Sequence, residues 1–188
     1  MAKVVPGNHS AVLGETEHGE QNAGKAFTAR PPGTQGGDSP GRPAGVTVRM
    51  DLAAPPADVY PYWTDPEKYA RWMGRTARLD PRPGGEYYVQ MNDGFAAMGT
   101  FVELQRPARV EFTWGWAPGA GRAVLAGPQP DALLPPGASR VRVALQDNNA
   151  GTRLCLEHSD LPDDALRAGH LLAWRTYLAR LAVVVAGP

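Results

Sequence analysis

Cysteine is nearly absent from this chain. The single Cys155 among 188 residues excludes an internal disulfide and any zinc site built on paired cysteines. Leu154 and Leu156 flank it, so strand alternation turns it to the opposite face, as a small filler unless a nearby cation activates the thiol. Excess charge is also missing, because 19 Lys and Arg balance 19 Asp and Glu. A phosphate-tracking face needs surplus cations, so nucleic acid is not an expected partner. No basic block points to a membrane surface. No run of about 20 apolar residues is long enough for a membrane span. The stretch Met1-Ala2-Lys3-Val4-Val5-Pro6-Gly7 lacks the apolar segment of a signal peptide, and a soluble, cytoplasmic protein is expected. Catalytic motifs are lacking too: there is no nucleophile elbow, phosphate loop, dinucleotide fingerprint or zinc-protease helix. Gly119-Ala120-Gly121 has neither the remaining glycine nor the strand-to-helix setting of a nucleotide loop.

What is present divides the chain. Residues 1–44 are dense in Gly, Pro, Asn, Gln and charge, and Pro31-Pro32-Gly33 and Gly36-Gly37-Asp38-Ser39-Pro40-Gly41 cannot hold a ladder or a helix. Such a segment buries too little apolar surface to offset its ordering entropy, so a disordered tail is expected, with His9 and His18 solvated. A single domain follows over 45–188, and a hydrophobic content of 43% is enough for one core. Val46, Val48 and Met50 alternate with polar residues as a half-buried strand. Pro56 opens a short helix that Pro61 should kink or shorten, and Asp65-Pro66 starts a second with Tyr69, Trp72 and Met73 on its apolar side. Strands are expected over 75–80, 86–91, 95–104, 109–116, 140–146 and 152–158, with one wet and one buried face. A long helix then begins near Asp160, capped there and opened by Pro162. Leu171, Trp174, Leu178, Leu181 and Val185 form its apolar stripe.

The combination of Ala54-Pro55-Pro56-Ala57-Asp58-Val59-Tyr60, Thr64-Asp65-Pro66-Glu67, Trp72, Asp80-Pro81-Arg82-Pro83-Gly84-Gly85, Phe112-Thr113-Trp114, Thr152-Arg153-Leu154, His158 and Trp174 resembles the START-like (SRPBCC) superfamily. The nearest branch looks like the homologues of the activator of the heat-shock-protein-90 ATPase, and the likeness covers residues 45–187. It implies an α+β helix-grip fold. In that fold a curved antiparallel sheet of six to seven strands wraps a long C-terminal helix, two short helices follow the first strand, and a cavity lies between sheet and helix.

Strand phase and helix spacing then nominate the residues of that cavity. Val110, Phe112, Trp114 and Trp116 share one strand face, and Leu154, Leu156 and His158 share another. Trp174, Tyr177 and Leu178 approach from the helix, while Trp63, Trp72 and Met73 close one end. Each of these aromatics can equally be plain core. His158 should face inward, either as an acid–base group or as a buried ring paired with a neighbour. The family commonly carries a histidine there without an established catalytic task. His170 lies one turn before Trp174, on the cavity side or at a solvated flank. Two histidines with no acid at helical spacing do not complete a metal set, and no cofactor is called for. Asp80 and Arg82 tie a turn. The Pro/Gly-rich segment 117–137 is a lid over the cavity mouth or an insertion.

Three functions are compatible with these features. The first is non-catalytic binding of a small apolar or amphipathic molecule. The second is a polyketide cyclase or dehydratase type of enzyme using His158 with Tyr177 or His170. The third is a chaperone-interaction module, which the Gly/Pro-rich tail fits poorly, because the full activator carries a folded N-terminal domain. A protein partner or a homodimer is compatible with any of them.

Overall fold

The computed structural model describes residues 45–92, 94–118 and 134–187. The expected disordered tail at 1–44, with His9 and His18, lies outside the described residues, as does most of segment 117–137. The element order is β1 (Val46–Leu52), α1 (Pro56–Val59), α2 (Pro61–Thr64), α3 (Pro66–Met73), β2 (Thr76–Leu79), β3 (Glu86–Asn92), β4 (Phe95–Gln105), β5 (Arg109–Trp116), β6 (Ser139–Asp147), β7 (Thr152–Ser159) and α4 (Asp164–Ala186). The seven strands form one antiparallel sheet in the order β1-β7-β6-β5-β4-β3-β2. Every neighbour but one is a sequential hairpin partner. The exception pairs β1 with β7, which sets Val46 opposite His158.

Local chemistry accounts for the short helices. Pro61 has no N–H to continue the α1 ladder, so the chain restarts there as a separate turn, α2. The Asp65 carboxylate accepts from the Glu67 and Lys68 amides at 2.9 and 3.0 Å, with Pro66 in the first turn of α3. The start of α4 corrects the sequence reading. Asp160 has a positive φ of 64° and stands outside the helix, whereas Asp163 caps it by accepting from the Leu166 amide at 2.8 Å.

His170, Trp174, Leu178 and Leu181 form the buried face of α4 against the sheet, and Leu171 and Val185 flank it half-buried. The Tyr62 hydroxyl donates to the Val184 carbonyl at 3.1 Å and ties α2 to the far end of α4. Beneath α3 the aromatic core is continuous. Trp63 meets Trp72 at 4.8 Å between ring centroids, Tyr69 meets Tyr87 at 5.9 Å, and Tyr87 stacks on Phe112 at 4.3 Å. Among the described residues no helix is long and apolar enough to cross a membrane.

One buried charge sits on the sheet. Glu111 is 3% exposed, and its carboxylate accepts from Arg140 at 2.7 Å and Arg142 at 2.8 Å. Burial pushes its pKa up, but the two guanidinium hydrogen bonds outweigh burial and hold it below the usual glutamate value. A carboxyl depressed in the folded state stabilises above its unfolded pKa, and that stability is lost as pH falls through the lower folded value. Glu111→Gln should therefore cost about 1 kcal/mol at neutral pH, a figure discounted for the half-exposed arginines. It should also flatten the acid loss of stability below about pH 4.5 in urea titrations, and an unchanged acid limb would show that the carboxylate is not held ionised.

Candidate functional site

A half-open pocket of about 400 Å³ lies between α4 and the β3–β5 side of the sheet. Its lining comes from one face of α4 (Asp163, Ala165, Leu166, Gly169, His170, Ala173, Trp174 and Tyr177), from Trp114 and Trp116 of β5, and from Met73 and Met91. The α4 residues recur at intervals of three and four, which puts them in a single stripe along the helix. Trp114 and Trp116 face the same way because they are two apart on β5. A Cβ added at Gly169 would meet nothing within 4 Å, so there is open space immediately above that helix turn.

Of the residues nominated from sequence, the structure brings Met73, Trp114, Trp116, Trp174, Tyr177 and His170 to this pocket. It does not bring Trp63, Trp72, Phe112, Leu154, Leu156, His158 or Leu178, all of which are packed in the core at 0 or 1% exposure. The physical reason is prior engagement: Trp63 and Trp72 pack together with Tyr69, Phe112 stacks on Tyr87, and the His158 ring is taken up by Ser139 and Trp174. Met91, Leu166, Gly169 and Ala173 were not legible as site residues. The α4 periodicity carried a signal for Leu166, Ala173 and Gly169, but small residues on an apolar face read as ordinary packing.

His158 is fully enclosed and every polar position on its ring is engaged. The Trp174 indole N–H, which can only donate, gives its hydrogen to Nδ1 at 3.0 Å. Nε2 lies 2.8 Å from the Ser139 hydroxyl, which itself donates to the Trp114 carbonyl at 2.9 Å. Those two facts assign the tautomer: Nε2–H donates to Ser139, and the imidazole is neutral. The sheet register explains the meeting, since Val141 pairs with His158 while Ser139 pairs with Trp114 on the same inner face. Burial, helped by the neighbouring His170 ring, pushes the His158 pKa down to about 3. With its lone pair occupied by Trp174, His158 has no free nitrogen to offer a substrate.

His170 is different. Its ring stands at 89° to Trp114 with centroids 4.9 Å apart, and 4.7 Å from the His158 ring. It is 9% exposed, burial lowers its pKa, and neither ring nitrogen has a hydrogen-bond partner among the described residues. The only side-chain polar atoms sealed from solvent without a partner there are the indole nitrogens of Trp63 and Trp114. Trp114 approaches the Tyr87 hydroxyl without making a hydrogen bond of ordinary geometry. The His170 nitrogens are thus neither satisfied nor sealed, and the residue lines the pocket.

Other expectations can be placed. The Arg82 side chain donates to Asp80 at 2.8 Å in an exposed turn remote from the pocket lining, where Gly84 supplies a φ of 79°. Cys155 is half-buried and free. Among the described residues no three His, Cys, Asp or Glu side chains converge as a metal would need. The two ends of segment 117–137 are pinned: the Trp116 amide donates to the Leu134 carbonyl and the Ala117 amide to Ala96, each at 2.8 Å, and Leu134 is buried in the core. Gly115 is required for that return, because a Cβ there would fall 1.7 Å from the Pro135 carbonyl oxygen.

A long C-terminal helix gripped by a seven-stranded antiparallel sheet, with short helices after the first strand, defines a helix-grip protein of the SRPBCC class. The chain belongs to the Activator of Hsp90 ATPase homolog 1-like family, whose profile matches residues 53–186. Among solved structures it is similar to the AHSA1-like protein of Rhizobium etli at 38% identity, with a TM-score of 0.58 over 77% of this chain and 82% of that one. It also shares its fold with protein MLL2253 of Mesorhizobium loti (19% identity, TM-score 0.62, covering 76% of this chain and 97% of that one). CalU16 of Micromonospora echinospora is similar at 24% identity, with a TM-score of 0.57 over 76% of each chain. No curated protein matches the chain.

Proposed function

We propose that the chain binds a small apolar or amphipathic molecule in the pocket between α4 and β5, in the cytoplasm, without transforming it. The observation that carries this reading is the pairing of a 400 Å³ space walled by aromatic and thioether side chains with a histidine whose two nitrogens are both engaged inside the protein. That volume lies at the lower end of the range for small-molecule sites. Thioethers adapt to varied apolar shapes at little cost, and indoles supply large rigid contact area, which suits a binder. A cyclase-type reaction would have to run on His170 and Tyr177, and the carboxylate in the lining, Asp163, is exposed and already caps α4.

The test is native mass spectrometry of gently purified protein beside a Gly169→Leu variant. A Cβ at 169 meets nothing within 4 Å, so leucine can be accommodated there while its branch occupies pocket space, and it replaces a glycine in a helix interior, which should add up to about 1 kcal/mol to the fold. The expected result is a small-molecule adduct on the wild type, released on unfolding and missing from the variant. An adduct carried equally by both proteins would place the ligand elsewhere and sink the reading.

A further inference from the structure

We infer that His170 is the residue that selects the ligand, and that the pocket takes a flat aromatic alcohol of the phenol class in preference to the matching carboxylate or ammonium. This rests on the reading of the pocket as a binding site and goes one step beyond it. The walls set the shape. Trp114 and Trp116 meet edge to face at 4.9 Å on one side, Trp174 and Tyr177 come from α4, and Gly169 and Ala173 leave the helix surface between them low. A planar ring system fills such a space with aromatic contact on both sides.

The polar groups set the chemistry. Among the described lining residues there is no Lys or Arg, and the only charged side chain is Asp163 at the exposed start of α4. One oxygen of that carboxylate already caps the helix by accepting from Leu166. An anionic ligand would enter beside a like charge and find no cation. A cationic ligand would find only a water-screened, half-engaged carboxylate at the rim, where charge attraction is weak. Further in, His170 presents two unengaged nitrogens, and burial favours its neutral form. A neutral imidazole has one donor and one acceptor. A phenolic hydroxyl can donate to the acceptor nitrogen or accept from the donor nitrogen, so it makes one hydrogen bond with whichever of the two it reaches, and it stays uncharged near neutrality. A carboxylate is an acceptor only, so it can use the donor nitrogen alone and would bring an uncompensated charge into the pocket.

The experiment is equilibrium dialysis at neutral pH with four probes on one ring system: naphthalene, 2-naphthol, 2-naphthoate and 2-naphthylmethylammonium. The wild type should bind 2-naphthol about five- to tenfold more tightly than naphthalene, the gain of one net hydrogen bond, with both ions weaker than the naphthol. In His170→Phe the naphthol advantage, taken as the ratio to naphthalene on the same variant, should shrink to about one. His170→Gln, which keeps a donor and an acceptor, should retain part of the preference, and its circular dichroism checks the fold independently. A naphthol advantage that persists in His170→Phe overturns the inference, as does either ion binding most tightly. Failure of all four probes on the wild type overturns the pocket reading itself, whereas naphthalene binding without a naphthol preference overturns only the role of His170.

Discussion

Acidifying the wild-type protein from pH 7.5 to pH 4.5 should cost about 2–3 kcal/mol of stability through one residue, His158, and a His158→Phe variant should not lose that amount. The ring is buried and neutral, with its pKa held down to about 3 by burial and by the adjacent His170. In the unfolded chain it titrates near its ordinary value of 6.5. Below that value the unfolded state binds a proton that the folded state refuses, so stability is fully present above about pH 6.5 and falls as pH drops toward the folded pKa, by about 1.4 kcal/mol per unit.

At pH 7.5 the same variant should already be weaker by about 1–3 kcal/mol, because the Trp174 N–H loses its acceptor in a sealed site. Urea denaturation at the two pH values measures both effects. A wild type and variant with equal acid sensitivity would mean that His158 is not held neutral, and the hydrogen-bond assignment through Ser139 and Trp174 would fail with it. His170 also titrates low, so the difference between wild type and His158→Phe, rather than the absolute slope, carries the result.

The second large effect separates core aromatics from pocket aromatics. Trp72→Ala should lose about 4 kcal/mol, a sizeable fraction of the ~5–15 kcal/mol that holds a domain together. Trp72 is 1% exposed, packs at 4.8 Å on Trp63 and 5.0 Å on Tyr69, and donates to the Tyr62 carbonyl at 3.0 Å. Its removal leaves a cavity under α3 and an unpaired carbonyl that pins α2. Trp116→Ala should cost only about 1 kcal/mol, because that ring is half-buried and borders space that is already open.

Binding should respond in the opposite sense. Trp116→Ala weakens 2-naphthol several-fold in a protein that remains folded, by loss of aromatic contact worth about 1 kcal/mol. Thermal melts and dialysis on the two variants are the measurement. If Trp116→Ala destabilises as much as Trp72→Ala, the Trp116 ring is core, and the pocket lacks the wall that β5 is said to give it.

The elements themselves were legible along the chain because their causes are local. Proline at 56, 61 and 66, the carboxylate of Asp65, period-two alternation in β6 and the apolar stripe of α4 each act within a few residues, and each appears where it was expected. The start of α4 was misplaced for an equally local reason. Asp160 and Asp163 are both competent caps in sequence, and the positive φ at 160 that excludes the first is not visible there.

The sequence by itself determined the fold family, the two-faced strands and the set of aromatics that had to be buried. It also determined that His158 would share the inward strand face of Leu154 and Leu156 and that His170 would stand one helical turn before Trp174, since strand phase and helix spacing are fixed by backbone geometry. Only the tertiary structure decided which aromatics became core and which became pocket wall. It also decided which histidine was spent internally and which was left facing open space. Both outcomes depend on contacts between residues far apart in the chain: Ser139 and Trp174 reach His158 from a neighbouring strand and from the helix, and they saturate its ring. Nothing comparable reaches His170 among the described residues. Side-chain alternation states which way a residue points, but the distance from that face to the next layer is set by how the sheet curves around the helix, and that distance separates a filled core from a cavity.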